Sequence, residues 1–340
     1  MDLFKRVVSY GDLHHNFKMI EKDKSIVTVI NEWAEGFEDR DNKFVKEFQT
    51  TFNSSFWELY LHALLKSLEF KVDFSYNRPD FCSCKNEQSI IIEAVITNNP
   101  ANGSPEYDRQ KALEEFYKLE PSQIEGAYNE VKNLAAERIL NSITQKHKLY
   151  CNNYQKLDHV QNKPFVIAIG AFEQPLFYYQ AAGGIMKALF GLESAKYVNG
   201  EGVFEYKDKL LKKSNGAEIP IGLFSDDRMK EISAVIFCPI ATIGKIRALA
   251  EKKKKNCFVT TQRYNDYGEK SDIELLKLSE HQESLQDGVQ IYMNPFAENK
   301  IDKELFYHDD FLINYSKDDV SMKHGFLYAR MLETFELKKD

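Results

Sequence analysis

The chain has 340 residues, 43% of them hydrophobic and 29% charged, with a formal net charge of −7. That length buries a substantial core, as one large domain or two ordinary ones, and the acidic balance leaves any nucleic-acid contact to a local basic patch. Five irregularly spaced cysteines read most simply as reduced thiols, and the lack of any apolar run near ~20 residues excludes a membrane-spanning helix.

In chain order, residues 1–50 form a mixed, acidic segment with a short helix over "KSIVTVINEWAEGF". A stronger helix follows in "FNSSFWELYLHALLKSLEF", with Asn53, Ser54 and Ser55 as candidate caps. "FKVDF" alternates as a strand does, and "PDFCSC" and "SIIIEAVIT" are two more strands around the turn-forming "KNEQ". "NNPANGSPEYDRQ" is a loop. From Pro105 to about Lys148 the chain is helical with a break near Pro121, and "KPFVIAIGAF" has the length and continuous apolarity of a buried strand. Beyond residue 175, "ISAVIFCPIATIGKIRALAEKKKK" reads as strand, turn and helix, and "GVQIYMNPFAENKI" as a strand entering a loop. The expected division is an N-terminal helical segment (1–50), a core (51–175) and a C-terminal α/β elaboration (176–340).

Three acids stand in apolar company. Asp80 follows Pro79, and Glu93 ends the run Ile90-Ile91-Ile92. If the two strands pair as a hairpin, Asp80 lies near Glu93, and carboxylates that close repel unless a proton or cation separates them. A hard divalent cation such as Mg²⁺ suits the place, since it takes a few carboxylates and keeps water and phosphate on its other positions. Glu58 shares a helix stripe with Leu61, Leu65 and Leu68, so a third acid is expected at the same end of the sheet.

The order helix, three strands, helix, strand over residues 52–172, with Pro79-Asp80 and then Glu93-Ala94-Val95, resembles the PD-(D/E)XK (restriction endonuclease-like) nuclease superfamily. The resemblance covers about a third of the chain. It implies an α/β fold with a central mixed sheet flanked by helices, and metal-assisted hydrolysis of DNA. Asp80, Glu93 and the Ala94 carbonyl would hold Mg²⁺ or Mn²⁺, with Glu58 nearby or acting through water. One position departs from the family: its lysine belongs where Val95 stands. Some members carry that lysine, or a glutamine, in the following helix. Here Arg138, Ser142 and Lys146 are spaced four apart on one helical face. Lys146 is the expected substitute, with Arg138 on phosphate, Gln145 in reserve and Lys148 competing.

Other features carry less. Lys252–Lys255, with Lys245 and Arg247, make the most basic patch, and Lys207, Lys209, Lys212 and Lys213 a second; both read as solvated faces before nucleic-acid tracks. Cys82 and Cys84 form C-x-C without a second pair at zinc spacing, and His14, His15, His62, His147 and His159 lack the spacing of a shared metal. The expectation is a cytoplasmic, metal-dependent nuclease acting on DNA, with the homodimer common among nucleases of this fold and a role in restriction or defence by fold analogy alone. The alternatives are an inactive nuclease-fold binding or scaffold protein, and a hydrolase of another phosphate ester.

Overall fold

The computed structural model describes residues 1–198, 201–206, 210–212, 216–250, 256–266 and 271–334. Lys207, Lys209, Lys213 and Lys252–Lys255 of the two basic patches lie outside the described residues.

Three short helices open the chain: α1 (His15–Ile20), α2 (Lys24–Trp33) and α3 (Phe44–Thr50). Asp23 caps α2 by accepting from the backbone of Ser25 and Ile26, and Ile26, Val29, Ile30 and Trp33 bury its inner face at helical spacing. Helix α4 (Phe52–Ser67) starts one turn earlier than its expected caps. Thr51 is the N-cap, its hydroxyl bonding back to the Glu47 carbonyl of α3, so Asn53 is free to donate to Glu106 at 2.8 Å.

Strands β1 (Lys71–Asp73), β2 (Phe81–Lys85) and β3 (Gln88–Asn98) follow. Lys85 pairs with Gln88, so a two-residue turn joins β2 and β3, with positive φ at both Asn86 (49°) and Glu87 (64°). That is the turn whose twist matches a hairpin. Helices α5 (Arg109–Phe116) and α6 (Pro121–Leu149) cross to β4 (Phe165–Phe172). Pro121 needs no N–H at the start of α6, and Glu120 and Gln123 form a reciprocal capping box around it. The helix runs into a π turn over Tyr150–Tyr154. All eight residues of β4 are buried, as its unbroken apolar run requires of a central strand.

The remaining chain adds α7 (Gly183–Phe190), β5 (Leu192–Val198), β6 (Glu201–Tyr206), β7 (Leu210–Lys212), β8 (Glu218–Pro220), β9 (Ala234–Phe237) and α8 (Ile243–Leu249). It ends with β10 (Cys257–Arg263), β11 (Asp272–Lys277), β12 (Gln290–Met293), β13 (Leu312–Ser316), β14 (Asp319–Ser321) and β15 (Leu327–Thr334). One mixed sheet of eight strands organises the protein, in the order β1-β2-β3-β4-β9-β12-β13-β14. Its centre, β3-β4-β9, is parallel, while β1-β2-β3 and β9-β12 are antiparallel. The C-terminal half therefore continues this sheet through four strands and adds a three-stranded sheet, β11-β10-β15, and two hairpins. No described helix is long and apolar enough to cross a membrane.

Helix α4 lies close over β4. The Trp57 indole donates to the Ala168 carbonyl at 3.0 Å, and a Cβ on Gly170 would stand 3.0 Å from that indole and 2.9 Å from the Phe172 ring. Trp57 is fully buried and cannot retreat. Gly170→Ala is expected to lower stability by about 1–3 kcal/mol, read as a shifted urea midpoint with unchanged slope.

Candidate functional site

The β2–β3 register pairs Phe81 with Ile92, so the next step outward sets Asp80 beside Glu93. One Asp80 oxygen accepts from the Ala94 backbone N–H at 2.7 Å, which locks that carboxylate to β3. Glu93 is 4% exposed although strand alternation places the fully buried Ile91 on its own face. Helix α6 supplies its counter-charge: Lys146 Nζ donates to Glu93 Oε1 at 2.7 Å. The π turn brings Tyr154 to the same oxygen, at 3.4 Å. The other oxygen, Glu93 Oε2, is buried without a hydrogen-bond partner. An orphaned carboxylate oxygen in a protein interior is costly unless something else fills the place.

Glu58 approaches from α4, half-buried at the start of the stripe that buries Leu61, Leu65 and Leu68. Burial, and then the negative charge of Asp80, push its carboxyl up to about 8. Burial and Asp80 likewise push Glu93 up to about 7, although Lys146 pulls the other way. Asp80 is also raised, chiefly by burial, against the Ala94 bond and the charges of Lys146 and Arg40. Arg40, in the loop before α3, donates to the backbone carbonyls of Tyr76 and, at 3.3 Å, Pro79. Three carboxyls thus face two cations, Lys146 and Arg40, and the surplus negative charge must take up a proton or a metal ion.

The three acids are not equivalent. Among the described residues their oxygens do not all come within 4.8 Å of one another. The residues offer a divalent ion the carboxylates of Asp80 and Glu93, neighbours across the hairpin, with Glu93 Oε2 unpartnered. Oxygen donors alone, with room for water, are what Mg²⁺ requires.

The helix face from the sequence divides. Lys146, not Lys148, meets Glu93, and Lys148 is exposed. Ser142 is buried one turn earlier, Gln145 is exposed, and Arg138 donates to the Asn98 carbonyl at 2.8 Å, at the far end of β3. Eight residues of helix separate Arg138 from Lys146, about 12 Å. Val95 is half-buried against the core and carries no charge to the acids. Arg40 and Tyr154 escaped the sequence reading. Arg40 lies in a loop 40 residues from Asp80, and only a π turn, which leaves no periodic trace, aims Tyr154 at Glu93.

A cavity of about 300 Å³ lies elsewhere, between α4 and the C-terminal ends of β4 and β9, lined by Phe52, Tyr107, Arg109, Tyr178 and Arg247 among others. None of Glu58, Asp80, Glu93 or Lys146 lines it, so it is no measure of the acidic site.

The raised acids have a thermodynamic consequence. A carboxyl whose folded pKa exceeds its unfolded value holds its proton longer in the native protein, so stability falls as pH rises across that interval. For Glu93 the interval runs from 4.5 to about 7, and for Glu58 from 4.5 to about 8. Metal-free protein should lose stability across it, and Glu58→Gln should flatten the fall in urea melts at fixed salt. An unchanged slope in that variant would show that Glu58 does not titrate with the others.

No protein-family model, no curated protein and no solved structure matches the chain.

Proposed function

We propose that the protein is a metal-dependent nuclease of restriction endonuclease-like fold that hydrolyses DNA phosphodiester bonds. The single observation that carries the reading is that Asp80, tied to the Ala94 N–H, and Lys146, bound to Glu93 Oε1, converge on Glu93, whose Oε2 is buried without a partner. The order α4-β1-β2-β3-α5-α6-β4, with β3 and β4 parallel, supports it as the scaffold of such a site.

Asp80, Glu93 and the Ala94 carbonyl would hold Mg²⁺ or Mn²⁺, with Glu58 in contact through water. An ion so placed lowers the pKa of a bound water and neutralises charge building on the scissile phosphate. The protein's own part is the positioning. The Ala94 N–H fixes Asp80, and Tyr154 and Lys146 fix Glu93. Were Glu93 to bind the ion, Lys146 Nζ would be free to orient the attacking water or a phosphate oxygen, the task that Val95 cannot perform. Arg138 stands further along β3, where it would meet the DNA backbone rather than the reacting phosphate.

Purified protein is incubated with plasmid, linear DNA and RNA in Mg²⁺, in Mn²⁺ and in chelator. Cleavage that needs the ion and disappears in Asp80→Ala supports the reading. A folded protein that cuts no nucleic acid under any of these conditions removes it, and leaves a binding or scaffold protein.

A further inference from the structure

We propose that His147, Cys151 and Glu231 form a second metal site, of the zinc class and chemically distinct from the acidic site. Among the described residues they are the one group of three such side chains whose ligand atoms all lie within 4.8 Å of one another. Glu231 Oε2 is 2.8 Å from His147 Nε2, and Cys151 Sγ is 3.5 Å from the same nitrogen.

That shared nitrogen separates the possibilities. A nucleophile–base–acid relay needs the acid on one ring nitrogen and the nucleophile on the other. Here both contacts end on Nε2, which in neutral imidazole is either a donor or an acceptor and not both. Three Lewis-basic atoms gathered round one point are what a cation collects. With ordinary zinc bond lengths in a tetrahedron, sulfur and nitrogen stand ~3.5 Å apart and nitrogen and oxygen ~3.4 Å. The first separation is already present. The second needs Glu231 to move by ~0.6 Å, given those bond lengths, and its side chain is 24% exposed and has room.

The donors choose the ion. Thiolate and imidazole with one carboxylate favour zinc over magnesium, which takes oxygen. Three protein ligands leave a fourth position to water. His147 and Cys151 are one turn apart where α6 passes into its π turn, and Glu231 immediately precedes the lead-in to β9. An ion there would join that turn to the central sheet, and the same turn carries Tyr154 to Glu93. Its role is to brace the support of the acidic site, though its existence does not depend on what that site does.

Metal-free protein is titrated with Co²⁺, followed by absorption, and Zn²⁺ affinity is measured by competition with a chromophoric chelator. One Co²⁺ per chain should bind with a thiolate-to-cobalt charge-transfer band, displaced by Zn²⁺ and untouched by excess Mg²⁺. Cys151→Ser should abolish the band. Glu231→Gln, which keeps side-chain shape and so protects folding, should keep the band and weaken Zn²⁺ by more than about tenfold. Circular dichroism checks that each variant is folded. No band in the wild type, a band that survives Cys151→Ser, or Zn²⁺ affinity unchanged in both variants would overturn the assignment.

Discussion

Asp80→Ala and Glu93→Ala are each expected to slow single-turnover DNA cleavage by about 10³-fold or more, the scale of a lost charge-stabilising group in a catalytic site. At constant temperature that is about 4 kcal/mol of barrier. Lys146→Ala is expected to cost about 10²-fold, in the range for a positioned proton-handling or phosphate-contacting group. The ordering follows from the geometry. Asp80 and Glu93 would contact the ion, whereas Lys146, bound to Glu93 Oε1, would have to leave it to reach the reaction. Unfolding does not explain such losses. Each acid removed relieves a surplus of negative charge, so metal-free Asp80→Ala should melt no earlier than wild type at pH 8. Asp80→Asn separates charge from shape, since its amide oxygen can still accept from Ala94. Equal cleavage by wild type and Asp80→Asn would sink the metal-holding role, and cleavage by Lys146→Ala at the wild-type rate would remove Lys146 from the mechanism.

Glu283→Ala should cost about 3–5 kcal/mol of stability, the penalty for stranding buried charge. Glu283 binds Lys245 at 3.0 Å and Arg330 at 2.7 Å, with side chains 0%, 0% and 2% exposed respectively for Glu283, Lys245 and Arg330. His281 contacts the same carboxylate at 3.0 Å. Burial alone would raise this carboxyl, but the Arg330 and Lys245 charges outweigh it and hold it well below the usual carboxylate range. Its stabilisation is therefore present above the unfolded pKa and is lost as pH falls into strong acid. Lys245 lies on α8 and Arg330 on β15, so the carboxylate ties the three-stranded sheet to the body of the protein. Without it two cations remain buried, although Lys245 keeps the Ser284 and Asp287 carbonyls, both at 2.9 Å. Urea unfolding of Glu283→Ala measures the loss. A change under 1 kcal/mol would mean that water enters and solvates the pair, against the geometry.

The two clusters were unequally visible beforehand. Asp80 and Glu93 could be paired on paper because a two-residue turn and period-two alternation determine a hairpin register within a few positions. Lys146 could be named because α6 is regular up to Leu149 and its faces can be counted. Lys245 reads from the sequence as part of a solvated basic patch, yet it is fully buried. Its partners, Glu283 and Arg330, lie 38 and 85 positions later. No periodicity links residues so far apart. The sequence gives His147 no metal spacing with the other histidines; its i, i+4 neighbour Cys151 gains meaning only with Glu231, which the fold alone brings up.

What could be read directly was local. Apolar alternation, continuous apolar runs, prolines and turn residues lay down α4, the β2–β3 hairpin, α6 and β4 because each depends on neighbours within a few residues. The joining of β9, β12, β13 and β14 to the same sheet, the arrival of Arg40 at the acids and the π turn that aims Tyr154 depend on contacts between distant segments. Such contacts are chosen by how whole faces pack and how buried charge is neutralised, and those energies exist only once the chain has closed on itself.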